Sequence, residues 1–274
     1  MKLAVSCMAW SADEHAAAAA LLHAHGAMGI ELLPTALWGD WASALAAGPA
    51  DLPAPLQDFA RPAMQSLLFN MPDHLLFQDE AAEERMIAHL QHVIALAERL
   101  HVRVLVFGSP RQRLRGSLSM PAAMARFGSF ATRLAPVAAA AGVKLALEAN
   151  PVAYGCDFVT GTAELLDVFE ALDQPGLGLH FDTGTAILNG EDLAGLIRRA
   201  GPRLDHFHIS QPQLGGCDEP APLHMATAEA LRDIGYPNWV SIEMRRGERG
   251  LADLELALRQ VVATYGPLKS VGTA

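Results

Sequence analysis

Two spacings of apolar residues alternate along the chain. In short runs every second residue is apolar, which is typical of a buried strand, and in longer runs apolar residues recur every three or four positions, which indicates one face of a helix. The eight predicted strands are 3–10, 29–33, 62–69, 102–107, 143–148, 176–182, 204–210 and 239–243. The predicted helices are 13–25, 80–101, 121–141, 162–172, 191–200, 224–234 and 251–265, with a short helix and loops in the less regular region 35–61.

Eight strands alternating with eight helices in about 265 residues predict a (β/α)8 TIM barrel. We expect a single domain over residues 1–274, because no change in composition marks a boundary. The alternative is an open doubly wound sheet. Such a sheet commonly carries a GxGxxG or Walker loop after an early strand, and the chain has neither.

The composition narrows the choice of partners. The formal charge is 20 − 30 = −10, which argues against nucleic-acid binding but leaves a small anionic substrate open. The three cysteines form no CxxC pair, so we expect a reducing cytoplasmic compartment. No stretch of 18 residues is continuously apolar and uncharged, so we expect no membrane span.

Four chemically reactive residues end four consecutive strands. Glu148, Asp182, His208 and Glu243 are separated by 34, 26 and 35 residues, each close to one strand–helix unit. Their strands alternate so that the apolar residues face the helices and these polar residues face the barrel interior. Neighbouring strands lie about 4.8 Å apart, so the four side chains should converge. Three converging carboxylates repel one another unless a cation lies between them, and this donor set suits Mn²⁺, Mg²⁺, Co²⁺ or Zn²⁺.

Two further histidines precede members of this group. His180 and His206 should lie one layer deeper than Asp182 and His208, because each comes two residues earlier on the same strand. They are either buried neutral histidines bonded to their neighbours or residues that hold the ligands in position.

The four strand ends resemble a known family. Glu148 in LALEAN, Asp182 in HFDTG, His208 in HFHIS and Glu243 in VSIEM look like the metal tetrad of the sugar phosphate isomerase/epimerase family, the xylose isomerase-like TIM barrels. The similarity covers most of the chain and is densest from Glu148 to Glu243. The motifs are specific for the superfamily and say little about the substrate.

The resemblance implies a divalent-metal-dependent isomerase or epimerase of a sugar-like polyhydroxy carbonyl compound. Glu148 and Glu243 would bind the metal and also serve as acid and base, removing the α-proton to give a metal-stabilised enediolate. Return of the proton to the opposite face gives an epimer, and return to the neighbouring carbon gives an isomer. A metal-dependent lyase or dehydratase begins with the same proton abstraction and remains an alternative.

Two other functions are less favoured. An endonuclease-like phosphodiesterase of the related type uses three metals and further His and Asp ligands, and Thr185 stands where one such His would be. A non-catalytic sugar-binding protein would have no need of the complete tetrad. Barrels of this group often pair, so a homodimer is compatible with the resemblance.

The sequence departs from the sugar epimerases at two positions. Thr185 replaces a usual His, and Leu214 replaces a frequent Arg, which puts an ordinary free ketose in doubt. His224 is a candidate to replace one of these two residues, so we include it among the candidate substrate-binding residues.

Other candidate substrate contacts lie near the strand ends. Arg111 and Arg113, with Arg115, follow the fourth strand and would grip a phosphate or carboxylate. Glu31 and Gln65 should point inward from the second and third strands and bond substrate hydroxyls.

Overall fold

A ring of parallel strands forms the centre of the molecule, with helices packed around it. The structure, a computed structural model, describes residues 1–217 and 221–266. Within these residues the strands are β1 (Lys2–Ser6), β2 (Gly29–Glu31), β3 (Ala63–Met64), β4 (Val104–Phe107), β5 (Lys144–Leu147), β6 (Leu177–Asp182), β7 (Leu204–Ser210) and β8 (Trp239–Glu243).

The strand order β2-β1-β8-β7-β6-β5-β4-β3 is that of a barrel opened between β2 and β3. The paired strands of the described residues are parallel, and a parallel bridge between Leu32 and Met64 joins the two ends of the order. The predicted (β/α)8 barrel is therefore confirmed. The predicted single domain 1–274 includes residues 218–220 and 267–274, which lie outside the described part of the chain.

Helices follow the strands in the order that the sequence predicts, with additions. Asp79 caps the 20-residue helix Glu80–Arg99 by accepting a hydrogen bond from Ala82 N–H at 2.7 Å. The helices of the described residues are α1 (His15–Ala24), α2 (Pro34–Trp38), α3 (Trp41–Ala46), α4 (Glu80–Arg99), α5 (Met120–Ala140), α6 (Thr162–Leu172), α7 (Thr183–Asn189), α8 (Leu193–Ala200), α9 (Leu223–Asp233) and α10 (Leu251–Tyr265). None of them is both long enough and apolar enough to cross a membrane.

The alternating residues of the strands pack into separate cores. Leu105 and Phe107 of β4 join the large core between strands and helices. The intervening residues, Val104 and Val106, form a small cluster inside the barrel with Ala63 and Ala146. Each fully buried large apolar side chain contributes about 1.5–3 kcal/mol. The same alternation is present in β5, where Leu145 and Leu147 join the large core and Ala146 joins the small cluster.

The first and third predicted strands end earlier in the structure, and one helix is added. The first strand ends at Ser6 because the Ser6 hydroxyl caps a 3-10 helix, Cys7–Ala9, by accepting a hydrogen bond from Met8 N–H. The third strand ends at Met64, since Ser66 has a left-handed backbone with φ of 58°. The helix predicted at 191–200 is preceded by α7, which the sequence analysis missed.

Candidate metal centre

The carboxyl ends of β5 to β8 bring the four predicted residues together. Glu148, Asp182, His208 and Glu243 each offer one donor atom, and these atoms lie within 4.8 Å of one another. His208 is fully buried, and Asp182 and Glu243 are 8% and 7% exposed. Polar side chains gathered in this way require pairing or a cation, because burial of unpaired charge is costly.

The strand register explains how the residues meet at the mouth of the barrel. Asp182 is paired with His208, whereas Glu243 is paired with Ser210, one inward-facing position further along β7. Such a stagger is expected where strands tilt around a barrel. The tetrad is therefore in register between β6 and β7 and steps by two residues between β7 and β8.

Glu148 follows β5 and is held on several sides. Its backbone N–H donates to the Phe107 carbonyl at 3.1 Å, which continues the pairing with β4. Its Oε2 accepts a hydrogen bond from Asn150 Nδ2 at 3.0 Å, and its Oε1 lies 3.3 Å from His180 Nε2. Burial favours a higher pKa for this carboxyl, but His180 and His208 outweigh it and hold the pKa of Glu148 well below its usual range.

Asp182 is the N-cap of α7, so the same residue ends β6 and starts the next helix. One carboxylate oxygen accepts from Thr185 N–H at 2.6 Å, and the other accepts from the Ser210 hydroxyl. Burial, followed by the charge of Glu148, raises the pKa of Asp182. Thr185, which stands where the sugar epimerases have His, also donates its hydroxyl to the Ala149 carbonyl at 3.1 Å.

His208 faces the tetrad with one ring nitrogen and Glu31 with the other. Its Nε2 lies 3.0 Å from each carboxylate oxygen of Glu31. Its Nδ1 lies 3.2 Å from Glu243 Oε2 and 3.7 Å from Glu148 Oε1, and it is a buried atom without a hydrogen bond among the described residues. Burial opposes protonation of His208, but Glu31 and Glu243 raise its pKa well above its usual value.

Glu31 is less available to a substrate than the sequence predicts. It points inward as expected, but it is fully buried and its carboxylate is occupied by His208. Burial is outweighed by His208 and His206, so the pKa of Glu31 is well below its usual value. The prediction that Glu31 bonds substrate hydroxyls is wrong, because the side chain has no exposed surface.

The two deeper histidines lie where the sequence places them. His180 is paired with His206 in the β6–β7 ladder, one layer below Asp182 and His208. Both rings are buried, and burial is the main cause that lowers the pKa of His180 to about 4 and lowers that of His206. Both are therefore neutral near pH 7.

Glu243 ends β8 and completes the group. Burial is the main cause that raises its pKa to about 7, with Glu148 and Asp182 adding to the effect and His208 opposing it. Burial and the two acidic neighbours thus disfavour the charged form of Glu243, and a nearby cation would favour it.

Arg113 proves to be an internal residue. Its guanidinium donates to the carbonyls of Gly108, Phe158 and Glu148 and to Asn150 Oδ1. The residue is fully buried, and burial lowers its pKa. The prediction that Arg113 grips a substrate anion is wrong, because its donors already bind the loops on which Glu148 and Asn150 lie.

The other two arginines of this loop differ from each other. Arg115 is also committed internally, through its Nε to the Asp157 carbonyl at 2.8 Å and its terminal nitrogen to the Leu118 carbonyl at 2.6 Å. Arg111 is exposed and makes no hydrogen bond or ion pair within the described chain. Its role in substrate binding stays a prediction.

Gln65 and His224 both have internal partners. Gln65 is 5% exposed, and its side-chain NH₂ donates a hydrogen bond to the Ser6 hydroxyl at 2.8 Å. A contact between Gln65 and a substrate would therefore use the side-chain carbonyl oxygen, and this contact stays a prediction. His224 is 1% exposed, with Nδ1 2.8 Å from the Tyr265 hydroxyl and Nε2 3.1 Å from Gln211 Nε2. The prediction of a substrate contact for His224 is wrong, because both nitrogens are enclosed.

The residues matched to a known family extend over most of the barrel. Residues 19–263 match the model of the xylose isomerase-like TIM barrels. The chain belongs to this family. The four strand-end motifs indicated the same family, and that prediction is confirmed. No curated protein matches the chain in sequence.

Solved structures share the fold of this family member at low identity. A D-psicose 3-epimerase in the presence of D-fructose has a TM-score of 0.75 at 18% identity, covering 97% of this chain and 100% of that one. The 3-keto-D-glucoside 4-epimerase of E. coli has a TM-score of 0.75 at 14% identity, covering 96% and 99%. The IolI protein with a bound zinc atom has a TM-score of 0.73 at 17% identity, covering 99% and 100%.

Several residues at the site of this xylose isomerase-like barrel were missed by the sequence analysis. Asn150 and Ser210 each bond a tetrad carboxylate and follow the strand-end motifs closely, so their polar character next to Glu148 and His208 was the available signal. Arg245 was also missed. Its backbone N–H donates to the Leu214 carbonyl at 2.9 Å, which brings an exposed arginine next to the position where the sugar epimerases often have Arg.

Proposed function

We propose that the chain is a divalent-metal-dependent isomerase or epimerase of a sugar or sugar-like polyhydroxy carbonyl compound. The observation that carries the proposal is the convergence of three carboxylates and one imidazole at the carboxyl end of the barrel. This end is where enzymes with a TIM barrel place their active sites. Two of the solved structures that share the fold are, by name, sugar epimerases.

Glu148, Asp182, His208 and Glu243 would hold the metal. The donors fit a divalent ion because carboxylate oxygen and imidazole nitrogen suit Mn²⁺, Mg²⁺, Co²⁺ or Zn²⁺. The buried Nδ1 of His208 lacks a hydrogen-bond partner in the described chain and lies near two of the carboxylates, as an unused ligand atom would. When bound, the metal acts as a Lewis acid that polarises the substrate carbonyl.

Glu148 and Glu243 would act as the base and the acid. Glu148 comes from the β5 side of the group and Glu243 from the β8 side. Their carboxylate oxygens lie 3.7 Å and 3.2 Å from Nδ1 of His208, so a substrate bound between the two glutamates would meet a carboxylate on each side. One carboxylate removes the proton from the carbon next to the carbonyl, and a carboxylate returns it. Return from the opposite face inverts that carbon, whereas return to the adjacent carbon exchanges aldose and ketose.

The surrounding residues would keep Glu148 in place. Asn150 donates a hydrogen bond to one carboxylate oxygen of Glu148, and Arg113 donates to the backbone carbonyl of Glu148 and to the side-chain oxygen of Asn150. Fixed carboxylates need little rearrangement when the proton moves, which is the benefit of a preorganised site. His180 and His206 would support this arrangement from the layer below.

Exchange of a substrate proton with solvent tests the proposal. The Mn²⁺-loaded protein is incubated in D₂O with a panel of ketoses and aldoses, and deuterium next to the carbonyl is followed by NMR. We expect exchange with at least one sugar and a product of unchanged elemental composition. Glu148→Gln and Glu243→Gln should each lower the exchange rate by about 100-fold or more.

The matched control is Glu98→Gln, an exposed glutamate on α4 that should leave exchange unchanged. A product that has lost water would point to the dehydratase alternative. Full exchange by both site variants would contradict the acid–base assignment.

A further inference from the structure

A concave region lies between two loops that follow strands of the barrel. It is a cavity of about 790 Å³ between the loop after β3 and the loop after β4. A cavity of this size is ample for a sugar. Its wall includes Ser109, the residue after Gly108, and Gly108 is so close to Glu148 that an added Cβ would lie 2.4 Å from Glu148 Oε2. One wall residue of the cavity, Ser109, is therefore the chain neighbour of a glycine that lies against the proposed acid–base carboxylate.

The backbone of the cavity wall has an unusual conformation. Ser66, Asn70 and Ser109 all line it, and all have a left-handed backbone, with φ of 58°, 59° and 52°. Non-glycine residues in this region cost about 1–2 kcal/mol each. These three residues set the course of the two loops that form the wall.

An exposed aromatic ring lines the same cavity. Phe69 is 55% exposed, whereas phenylalanine is usually buried. Its backbone is fixed, because its carbonyl accepts a hydrogen bond from Trp41 Nε1 at 2.8 Å. The ring therefore offers an apolar face at a fixed place, which suits the C–H face of a sugar or its carbon chain.

One cation lines the cavity. Arg111 is the single charged side chain among the described residues of the wall. Arg113 and Arg115, two and four residues further on, are bonded inside the protein, whereas the Arg111 guanidinium makes no bond within the described chain. In a protein of net charge −10, an arginine without an acidic partner in such a cavity is complementary to an anionic group on a ligand.

We propose that this cavity binds the far end of the substrate and that the substrate is an acidic sugar. Its carbonyl end would face the tetrad, its carbon skeleton would lie on Phe69, and a phosphate or carboxylate would pair with Arg111. This proposal rests on the proposed function, since it concerns the substrate of the same site. It adds the chemical class of that substrate.

Unreactive analogues test the cavity independently of turnover. Binding of D-glucitol, D-glucitol 6-phosphate and D-gluconate to the Mn²⁺-loaded protein is measured by calorimetry. The acidic analogue that matches the substrate should bind about 10–100-fold more tightly than D-glucitol, as expected for a charged hydrogen bond. Preference for the phosphate indicates a sugar phosphate, and preference for D-gluconate indicates a sugar acid.

Two substitutions assign the binding to the named residues. Arg111→Gln should remove the preference for the acidic analogue and leave D-glucitol binding unchanged, whereas Arg259→Gln, an exposed arginine on α10, should change neither. Phe69→Leu should weaken the binding of all three analogues by a similar factor.

Equal affinity for neutral and acidic analogues, or the same result from Arg111→Gln and Arg259→Gln, would overturn the proposal. A preserved Arg111-dependent preference in a protein that exchanges no substrate proton would overturn the proposed function alone.

Discussion

His208 donates its Nε2 hydrogen toward Glu31, with 3.0 Å to each carboxylate oxygen, and both side chains are fully buried. The two residues are 177 positions apart in sequence and meet across the barrel interior. Because Nε2 is occupied, the Nδ1 atom remains for the tetrad. A buried carboxylate behind a ligand histidine commonly fixes its tautomer and ring orientation.

Glu31→Gln should therefore weaken metal binding without removing a ligand. A neutral amide can either donate or accept, so it no longer fixes the ring, and we expect the Mn²⁺ affinity to fall by about 10–100-fold. Calorimetric titration of the variant with Mn²⁺ measures this affinity, and circular dichroism checks that the variant is folded. Glu98→Gln is the control and should bind as the wild type does. An unaltered affinity in Glu31→Gln would show that the contact does not serve the site.

Gly108→Ala should disturb Glu148 more than it disturbs the fold. The added Cβ would lie 2.4 Å from Glu148 Oε2, which is the end of a movable side chain, so the carboxylate must shift. Small displacements of a catalytic group cost about 100-fold in rate, so proton exchange should fall by that order. Gly128→Ala on α5 is the control, since its Cβ meets only Leu172 Cδ2 at 3.4 Å. Wild-type exchange by Gly108→Ala would mean that the position of this carboxylate is unimportant.

Arg113→Met should reduce the free energy of unfolding strongly. The change removes the donors for four buried acceptors, and loss of such a buried charged network costs about 3–5 kcal/mol. Arg111→Met removes the same charge from an exposed position and should stay within about 0.5 kcal/mol of the wild type. Urea denaturation at neutral pH compares them. Similar losses for both variants would contradict the structural role of Arg113.

His224 should make stability depend on pH. Burial lowers its pKa from 6.5 to about 4, so the unfolded chain takes up a proton below pH 6.5 that the folded protein refuses until about pH 4. Stability is then present above pH 6.5 and is lost as the pH falls toward 4, by roughly 3 kcal/mol for this residue.

The test is the difference in unfolding free energy between wild type and His224→Gln across that range. The wild type should lose more stability than the variant between pH 6.5 and 4, because glutamine does not titrate. Parallel curves would contradict the assignment, since the other titrating groups are common to both proteins.

Alternation of residues along the strands made the centre of the site predictable. Glu148, Asp182, His208 and Glu243 lie at strand ends, and the geometry of parallel strands brings such positions together. His180 and His206 followed from the same two-residue period. Local sequence was sufficient for these six residues, because each takes its position from its own strand.

Contacts between distant segments were beyond that reasoning. Arg111 and Arg113 are two residues apart in one loop, yet one is exposed and the other is buried against Phe158, 45 positions away. The occupation of Glu31 by His208 depends in the same way on packing across the barrel. The sequence pattern predicts Asp182 as a metal ligand only. In the structure Asp182 also caps helix α7, which the pattern does not predict.

Metal binding tests the central claim most directly. Chelator-stripped protein is titrated with Mn²⁺ by calorimetry, beside Asp182→Asn and a variant of an exposed carboxylate, Asp233→Asn. We predict one Mn²⁺ per tetrad in the wild type and in Asp233→Asn, and at least a tenfold loss of affinity in Asp182→Asn. Absence of binding in the wild type, or equal binding by Asp182→Asn, would contradict the assignment of these four residues as a metal centre.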